Sequence, residues 1–429
     1  MTNQRYKNSM EWLKKAEQVI PLGAQTFSKS KTQFPMGEAP FFASHAKGAM
    51  IYDIDGNEFI DFSSALGAIT LGYNDTDVMD AVKIQLEKGT IYSLSSKIEY
   101  EVADSLSRII PSAEMVRFGK NGSDVTSAAV RLARAYTNKD IIATCGYHGW
   151  QDWFIGSTSK DLGVPSAVKD LTVSFEYNNI DSLQQIFEKF SGNVAAVIME
   201  PVNSIKPQNN FLVHVQKLAK EHGAVFILDE MITGFRFANG GAQEFFNIQP
   251  DLATFGKGIA NGYPLAALVG KKEIMKLMEE VFFSFTFGGE TLSLAAADAV
   301  LKKLESYPVI ESMWNIGEYL EEALSKKIQE YELGAIFSLK GYPVWSFFTF
   351  EQNSYFEPWE LKTLYMQEMC KKGILCLGAH NISYLHNKDH VDQLLDVYEH
   401  YFKIVKDSKG SDIKKMLNCD VLKPLFKVR

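Results

Sequence analysis

At 429 residues the chain is longer than one compact core usually serves, which predicts two structural domains. Its 46% hydrophobic and 22% charged residues are an ordinary globular balance and exclude a disordered chain. A formal net charge of −8, with only short basic clusters such as Lys414-Lys415, gives no electrostatic reason to expect nucleic acid or an anionic membrane as partner.

The four cysteines (Cys145, Cys370, Cys376, Cys419) form no CxxC and have no paired His spacing. This predicts no disulfide framework and no metal site, and a reducing compartment. The polar stretch 1–15 lacks the apolar centre of a secretory signal, and no segment reaches the ~20 apolar residues of a membrane span. The expected location is cytoplasmic.

In chain order, residues 8–20 read as an amphipathic helix stopped by Pro21 and Gly23. Met50-Ile51-Tyr52-Asp53 and Glu58-Phe59-Ile60-Asp61 flank the turn signal Asp55-Gly56-Asn57, which predicts a hairpin. From about residue 115, short apolar runs alternate with helical periodicity, the pattern of a mostly parallel sheet covered by helices. Four runs end in groups suited to a site. Residues 141–145 lead into Gly146-Tyr147-His148-Gly149, and 194–199 into Glu200-Pro201. Residues 224–228 lead into Asp229-Glu230, and 252–255 into Gly256-Lys257-Gly258. Ligands of open α/β sheets collect beyond such strand ends. Beyond about residue 320 the rhythm changes, which predicts a second, smaller domain.

Lys257, between two glycines after a buried-type strand, reads either as a solvated loop lysine or as a nucleophile that forms an imine with an aldehyde. Asp229 is a strand-end cap, a metal ligand, or the partner that keeps a pyridine nitrogen protonated. Asn121-Gly122-Ser123 precedes a helix with apolar residues at Val125, Ala128, Ala129, Leu132 and Ala133. Gly122 and Ser123 then offer a phosphate site at a helix N-terminus, or Ser123 is simply an N-cap. Tyr147 stacks on a planar cofactor or packs at a domain seam. His148 is a proton carrier or a hydrogen-bonded structural histidine.

As a set, these motifs resemble the class III aminotransferases, fold-type I pyridoxal-phosphate enzymes, and among them the glutamate-1-semialdehyde aminomutase branch. The likeness runs from about residue 10 to 405. It rests on Gly-Ala-Met-Ile-Tyr-Asp-Ile-Asp-Gly-Asn (48–57), Phe-Gly-Lys-Asn-Gly-Ser-Asp-Val-Thr-Ser-Ala-Ala-Val-Arg-Leu-Ala-Arg (118–134), Tyr-His-Gly-Trp (147–150), Met-Glu-Pro-Val (199–202), Leu-Asp-Glu-Met-Ile-Thr-Gly-Phe-Arg (228–236) and Phe-Gly-Lys-Gly-Ile-Ala-Asn-Gly-Tyr-Pro (255–264). The resemblance implies an α/β fold with a large domain, residues 70–320, around a mostly parallel seven-stranded sheet. A smaller α+β domain would come from 1–69 and 321–429. It implies pyridoxal 5'-phosphate as cofactor and a homodimer. Lys257 would be the imine lysine and proton shuttle, and Asp229 the pyridine-nitrogen partner. Gly122 and Ser123 would hold the phosphate, Tyr147 would stack on the ring and Met231 would lie against its other face. Glu200 would be the carboxylate near the ring edge. Thr286, in Phe-Thr-Phe-Gly-Gly, would reach the phosphate from the neighbouring subunit.

The departures fall on expected substrate-binding positions. Pro21-Leu-Gly-Ala-Gln-Thr26 replaces the aminomutase-like Pro-Gly-Gly-Val-Asn-Ser. Lys29 stands for a carboxylate-binding arginine, without its bidentate fork. Leu66 replaces an aromatic wall residue, and Thr291 stands for a proline. Thr26, Lys29, Leu66 and His148 are the expected substrate contacts. The stretch Gly378–Tyr384 and the ending 421–429 are similar to relatives of surface-polysaccharide or nucleotide-sugar pathways. The expected activity is amino transfer from an amino-acid donor such as glutamate to a larger carbonyl acceptor such as a sugar. Intramolecular aminomutase chemistry is the second reading. A binding protein that kept the fold without catalysis is the third, and the presence of both Lys257 and Asp229 speaks against it.

Overall fold

The computed structural model describes residues 4–408 and 412–424; the rest, including 425–429 of the ending singled out above, lie outside the described residues. In chain order the strands are β1 (Ala43–Lys47), β2 (Met50–Asp53), β3 (Glu58–Asp61), β4 (Met115–Gly119), β5 (Ile141–Cys145), β6 (Thr172–Ser174), β7 (Val194–Met199), β8 (Val225–Asp229), β9 (Leu252–Phe255), β10 (Ala266–Gly270), β11 (Phe337–Tyr342), β12 (Trp345–Phe350), β13 (Ile374–Leu375) and β14 (Ala379–Asn381). The chain divides into two compact units. One holds residues 68–70 and 76–310; the other holds 4–67, 71–75 and 311–424 among the described residues.

The first unit is built on a seven-stranded sheet in the order β4-β10-β9-β8-β7-β5-β6. Strands β6, β5, β7, β8 and β9 pair in parallel, and β10 runs antiparallel to both its neighbours. Every residue of β5, β7, β8 and β9 is buried, so these strands lack the in–out alternation of a one-sided sheet. That is the composition a parallel sheet needs when both faces are covered. The helix Gly122–Thr137 buries Val125, Ala128, Ala129, Leu132 and Ala133, the face expected from their spacing. Full burial of a residue such as Leu132 stabilises by roughly 1.5–3 kcal/mol. The helix stops at Asn138, whose left-handed backbone (φ +53°) lets its N–H bond back to the Arg134 carbonyl.

The second unit carries a four-stranded sheet, β1-β2-β3-β13, and a three-stranded sheet, β11-β12-β14. The β2–β3 hairpin forms as expected. Asp53 Oδ1 accepts from the amides of Asp55 (2.9 Å) and Asn57 (2.7 Å) and closes the turn around Gly56, φ +83°. The expected helix over 8–20 is shorter, Lys7–Ala16. Pro21 drives Ile20 into extended backbone (φ −130°), so the helix ends in tight i→i+3 bonds before it. No helix among the described residues is long and apolar enough to cross a membrane. Nor do the described residues contain a group of three or more His, Cys, Asp or Glu that could hold a metal ion.

Candidate active site

Because β5, β7, β8 and β9 run parallel, their carboxyl ends share one edge of the sheet. That edge presents Tyr147 and His148, Glu200, Asp229 and Lys257, which line one cavity of about 480 Å³ with Gly122, Ser123 and Met231. The volume lies in the range of small-molecule sites. Eight of the expected site residues therefore meet there.

Lys257 has φ +44°, a left-handed conformation that costs an L-residue roughly 1–3 kcal/mol and is kept only where neighbours over-determine it. Two glycines allow it. A Cβ on Gly256 would lie 2.7 Å from Met231 Sδ, and one on Gly258 would lie 2.5 Å from Thr70 Oγ1. Burial pushes the Lys257 ammonium below its usual range, Glu200 and Asp229 pull it back, and Arg236 adds to the fall. A lysine so placed is more readily a free amine.

Asp229 is deeply buried and held on both oxygens. Its Oδ1 accepts from the Met231 amide at 3.1 Å and Thr254 Oγ1 at 3.4 Å. Its Oδ2 accepts from His148 Nδ1 at 2.7 Å, and a carboxylate can only accept, so Nδ1 carries the hydrogen. The imidazole lies nearly parallel to Trp153 (12°) and meets Phe154 edge-on. Its Nε2 is buried without a hydrogen-bond partner. Glu200 accepts from the Tyr147 amide at 3.0 Å. Burial first, and then the Asp229 charge, push its carboxyl up to about 7.

At the cavity's other end the helix Gly122–Thr137 begins. Asp124 Oδ2 accepts from the amides of Lys120 (3.1 Å) and Asn121 (2.7 Å), which leaves the Gly122 and Ser123 amides, first in the helix, without an intrahelical acceptor. Gly122 has no room for a side chain, since a Cβ there would lie 2.8 Å from Met231 Sδ. Tyr147 is half exposed, its ring held edge-on by Phe154 at 5.5 Å. An imine-forming lysine, an anchored carboxylate, an orphan imidazole nitrogen and the two open amides of Gly122 and Ser123 around one cavity fit an aromatic aldehyde phosphate.

Thr286 lies in an exposed turn of the same unit and does not line this cavity. Lys29 and Leu66 line a second cavity, about 360 Å³, in the other unit. Thr26 is exposed, lines neither, and has its hydroxyl 3.4 Å from that of Ser28. Thr291 uses groups that a proline lacks: its amide donates to the Thr90 carbonyl (2.9 Å) and its hydroxyl to that of Gly89 (2.9 Å).

Sequence reasoning missed three features. Lys120 lines the lysine's cavity and pairs with Glu290 Oε2 at 2.9 Å; its place directly before Asn121-Gly122-Ser123 was the available signal. Glu230 has its carboxyl pushed up to about 7 by burial and serves structure, accepting from the amides of Ala242 and Gln243 at 2.8 Å each. The third is a turn beside the second cavity. Ser64, Ala65 and Leu66 have φ of +43°, +49° and +61°, and the Gly67 amide closes a left-handed turn on the Ser63 carbonyl at 3.2 Å. Left-handed helical backbone costs roughly 1–2 kcal/mol per L-residue, so three in a row require braces.

Comparison with known proteins agrees with this geometry. The family model for aminotransferase class-III matches residues 33–401. The chain is 33% identical over 419 residues to a 3-aminobutyryl-CoA aminotransferase of Cloacimonas acidaminovorans, covering 95% of this chain and 98% of that one. It is 37% identical over 345 residues to a glutamate-1-semialdehyde 2,1-aminomutase of Acetivibrio thermocellus, covering 76% and 80%. The solved FumI protein of Sphingopyxis sp. MTA144, in its PLP internal aldimine form, superposes with a TM-score of 0.87 at 26% identity, over 97% of this chain and 99% of that one. The chain belongs to the class-III aminotransferases, enzymes of transamination that depend on pyridoxal phosphate.

Proposed function

We propose that this enzyme moves an amino group between two small molecules, from an amino-acid donor to a separate carbonyl acceptor. The observation that carries the reading is the convergence of Lys257 and Asp229 in one cavity with the uncapped amides of Gly122 and Ser123. When bound, the cofactor supplies an electron sink for the carbanion formed at the nitrogen-bearing carbon. Gly122 and Ser123 hold its phosphate at the positive end of a helix of 16 residues. Asp229 keeps a proton on the ring nitrogen, and His148 fixes the carboxylate by holding Oδ2. Tyr147 and Met231 flank the ring. Lys257 would hold the cofactor's aldehyde carbon and, as a free amine, would take and return the substrate proton, a state its burial favours. Glu200, poised near neutrality, exchanges a proton at the ring edge. Thr286 reaches the phosphate of the partner subunit in a homodimer. Residues 70–320 form the cofactor domain, 1–69 with 321–429 the smaller one, and the enzyme works in the cytoplasm with glutamate as a donor.

The test is reduction of the yellow holoenzyme with borohydride. The cofactor's mass is expected on the peptide containing Lys257 and absent in Lys257→Ala; label on another lysine overturns the assignment. The intramolecular reading is favoured by the 37% identity to an aminomutase. It is decided by turnover of glutamate-1-semialdehyde to 5-aminolevulinate. Efficient conversion, near the ~10⁴ M⁻¹s⁻¹ floor common for natural substrates, would replace the first reading by the second.

A further inference from the structure

Lys120 lines the cavity of Lys257 together with Asn121, Gly122 and Ser123. Apart from His148, which is engaged by Asp229, these two lysines are the basic side chains of the lining. Against them stand the carboxylates of Glu200 and Asp229. In the proposed reaction Lys257 takes the cofactor's aldehyde carbon and Asp229 its ring nitrogen. A phosphate monoester brings a further charge of about −1.5 to −2 near neutral pH. The N-terminus of the helix Gly122–Thr137 offers roughly half a positive charge. Most of the phosphate's charge is then unmet, and a charge taken out of water without a partner is costly. Among the described residues of the lining, Lys120 is the cation left to meet it.

Its ammonium is already held, though not used up. Nζ donates to Glu290 Oε2 at 2.9 Å, between side chains that are 13% and 17% exposed. An ammonium has three N–H donors, and the other two have no acceptor among the described residues. Nor does Glu290 cancel the lysine's charge outright, because it also caps the helix Thr291–Ser306. Its Oε1 accepts from the Leu292 amide (2.6 Å), and its Oε2 from the Ser293 amide (3.2 Å) and hydroxyl (2.6 Å) as well as from Lys120. Burial would raise the Glu290 carboxyl, but these donors outweigh it and hold the carboxyl below its usual range. The pair is therefore charged at neutral pH. A lysine fixed in this way has little side-chain freedom left to lose when a ligand arrives. Both partners belong to the same compact unit as the cavity.

We propose that Lys120 is a ligand of the cofactor's phosphate, its ammonium joining the amides of Gly122 and Ser123 there. The inference rests on the reading that puts the phosphate at those amides, and adds to it the side chain that answers the charge. Lysine, a compact point charge with rotatable donors, suits an anion that a helix N-terminus already orients. If Lys120 instead only ties the start of one helix to the start of another, its loss weakens every ring ligand alike. A phosphate ligand, by contrast, is felt by phosphorylated ligands and not by their alcohols.

The experiment is fluorescence titration of the full-length apoenzyme with pyridoxamine 5'-phosphate and with pyridoxamine. Neither has an aldehyde for Lys257, and they differ at the phosphate alone. The ratio of their affinities reads phosphate recognition, and a general loss of stability leaves that ratio unmoved. Lys120→Met should lower the ratio by at least about tenfold, the loss of one charge-assisted contact. Lys120→Arg, which keeps the charge, should hold it within about threefold of the unsubstituted enzyme. Lys120→Gln, which keeps a donor for Glu290, is the second neutral variant and should lose as Lys120→Met does. Because Lys120→Met also strips Glu290 of its cation, Glu290→Gln is combined with it. With both charges gone the ratio should stay at least about fivefold low. An unchanged ratio in the neutral variants, or one restored by adding Glu290→Gln, overturns the proposal and leaves the phosphate site standing. Failure of that site shows separately, as equal binding of the two ligands by the unsubstituted enzyme, and overturns the proposal with it.

Discussion

Replacing His148 by phenylalanine tests whether the buried imidazole acts through Asp229. The ring shape is kept among Trp153 and Phe154, and Nε2 loses nothing because it has no partner. What disappears is the 2.7 Å bond to Asp229 Oδ2, between side chains that are 0% and 1% exposed. Water cannot replace it easily at that depth. A hydrogen bond to a charged group contributes about 1.5–3 kcal/mol, so the rate of the first half-reaction should fall roughly 10- to 150-fold. The assay is the decay of the cofactor's aldehyde-form absorbance under saturating donor, with melting temperature recorded to exclude unfolding. Asp229→Asn should cost roughly a hundredfold or more, because a neutral amide cannot stabilise a ring proton by charge. If His148 works only by holding that carboxylate, His148→Phe in the Asp229→Asn background should add no more than about threefold. Independent, multiplicative losses would refute the coupling and make His148 a residue with its own contact to cofactor or substrate.

Two further outcomes follow from the same site. Gly149→Ala places a Cβ 2.7 Å from Ser123 Cβ at φ +115°; overpacking of about 1–3 kcal/mol should weaken cofactor binding by roughly 5- to 150-fold in a fluorescence titration, and an unchanged Kd would separate Ser123 from the phosphate. Glu200 has a folded pKa of about 7, above its ordinary 4.5, so its contribution to stability is fully present below pH 4.5 and is lost as pH rises towards 7. Glu200→Gln should therefore melt more nearly like the wild type at about pH 4.5 than at about pH 7.5, where the variant gains relative to it; parallel melting profiles would show that burial does not shift this carboxyl.

The lysine's cavity was largely legible in the sequence for a physical reason. A parallel strand covered on both faces must be apolar throughout, so the first polar residue after it marks the strand's end and points to the ligand edge. Val194–Met199 followed by Glu200, and Leu252–Phe255 followed by Gly256-Lys257-Gly258, carry that signal without any tertiary information. The antiparallel course of β10 carried none, because Ala266–Gly270 is as apolar as its parallel neighbours and direction is decided by the connection before it. The first helix ends at Ala16, four residues before the Ile20 that its amphipathic pattern reaches, because Pro21 holds Ile20 in extended backbone.

The left-handed turn was not legible, and the reason is physical. Ser64-Ala65-Leu66 contains no residue that prefers positive φ, and Ala and Leu are good right-handed helix formers. Local preference therefore opposes the observed backbone, and distant groups override it: Tyr73 at 12 positions from Asp61, and Asn381 at 317 from Ser64. Lys257 is the second place where local preference is overridden, there by glycines that yield to Met231 and Thr70. Both strained points line cavities, Lys257 the one at the edge of the parallel sheet and Leu66 the apolar one of the other unit. A fold gains nothing in stability from such backbone, since each residue costs roughly 1–2 kcal/mol that its braces only offset. What the left-handed backbone does set is the direction in which the Cα–Cβ bonds of Lys257 and Leu66 leave the chain. The strand-end residues were legible because they follow a general sheet rule, whereas the strained turn was not, because its causes are spread over the chain.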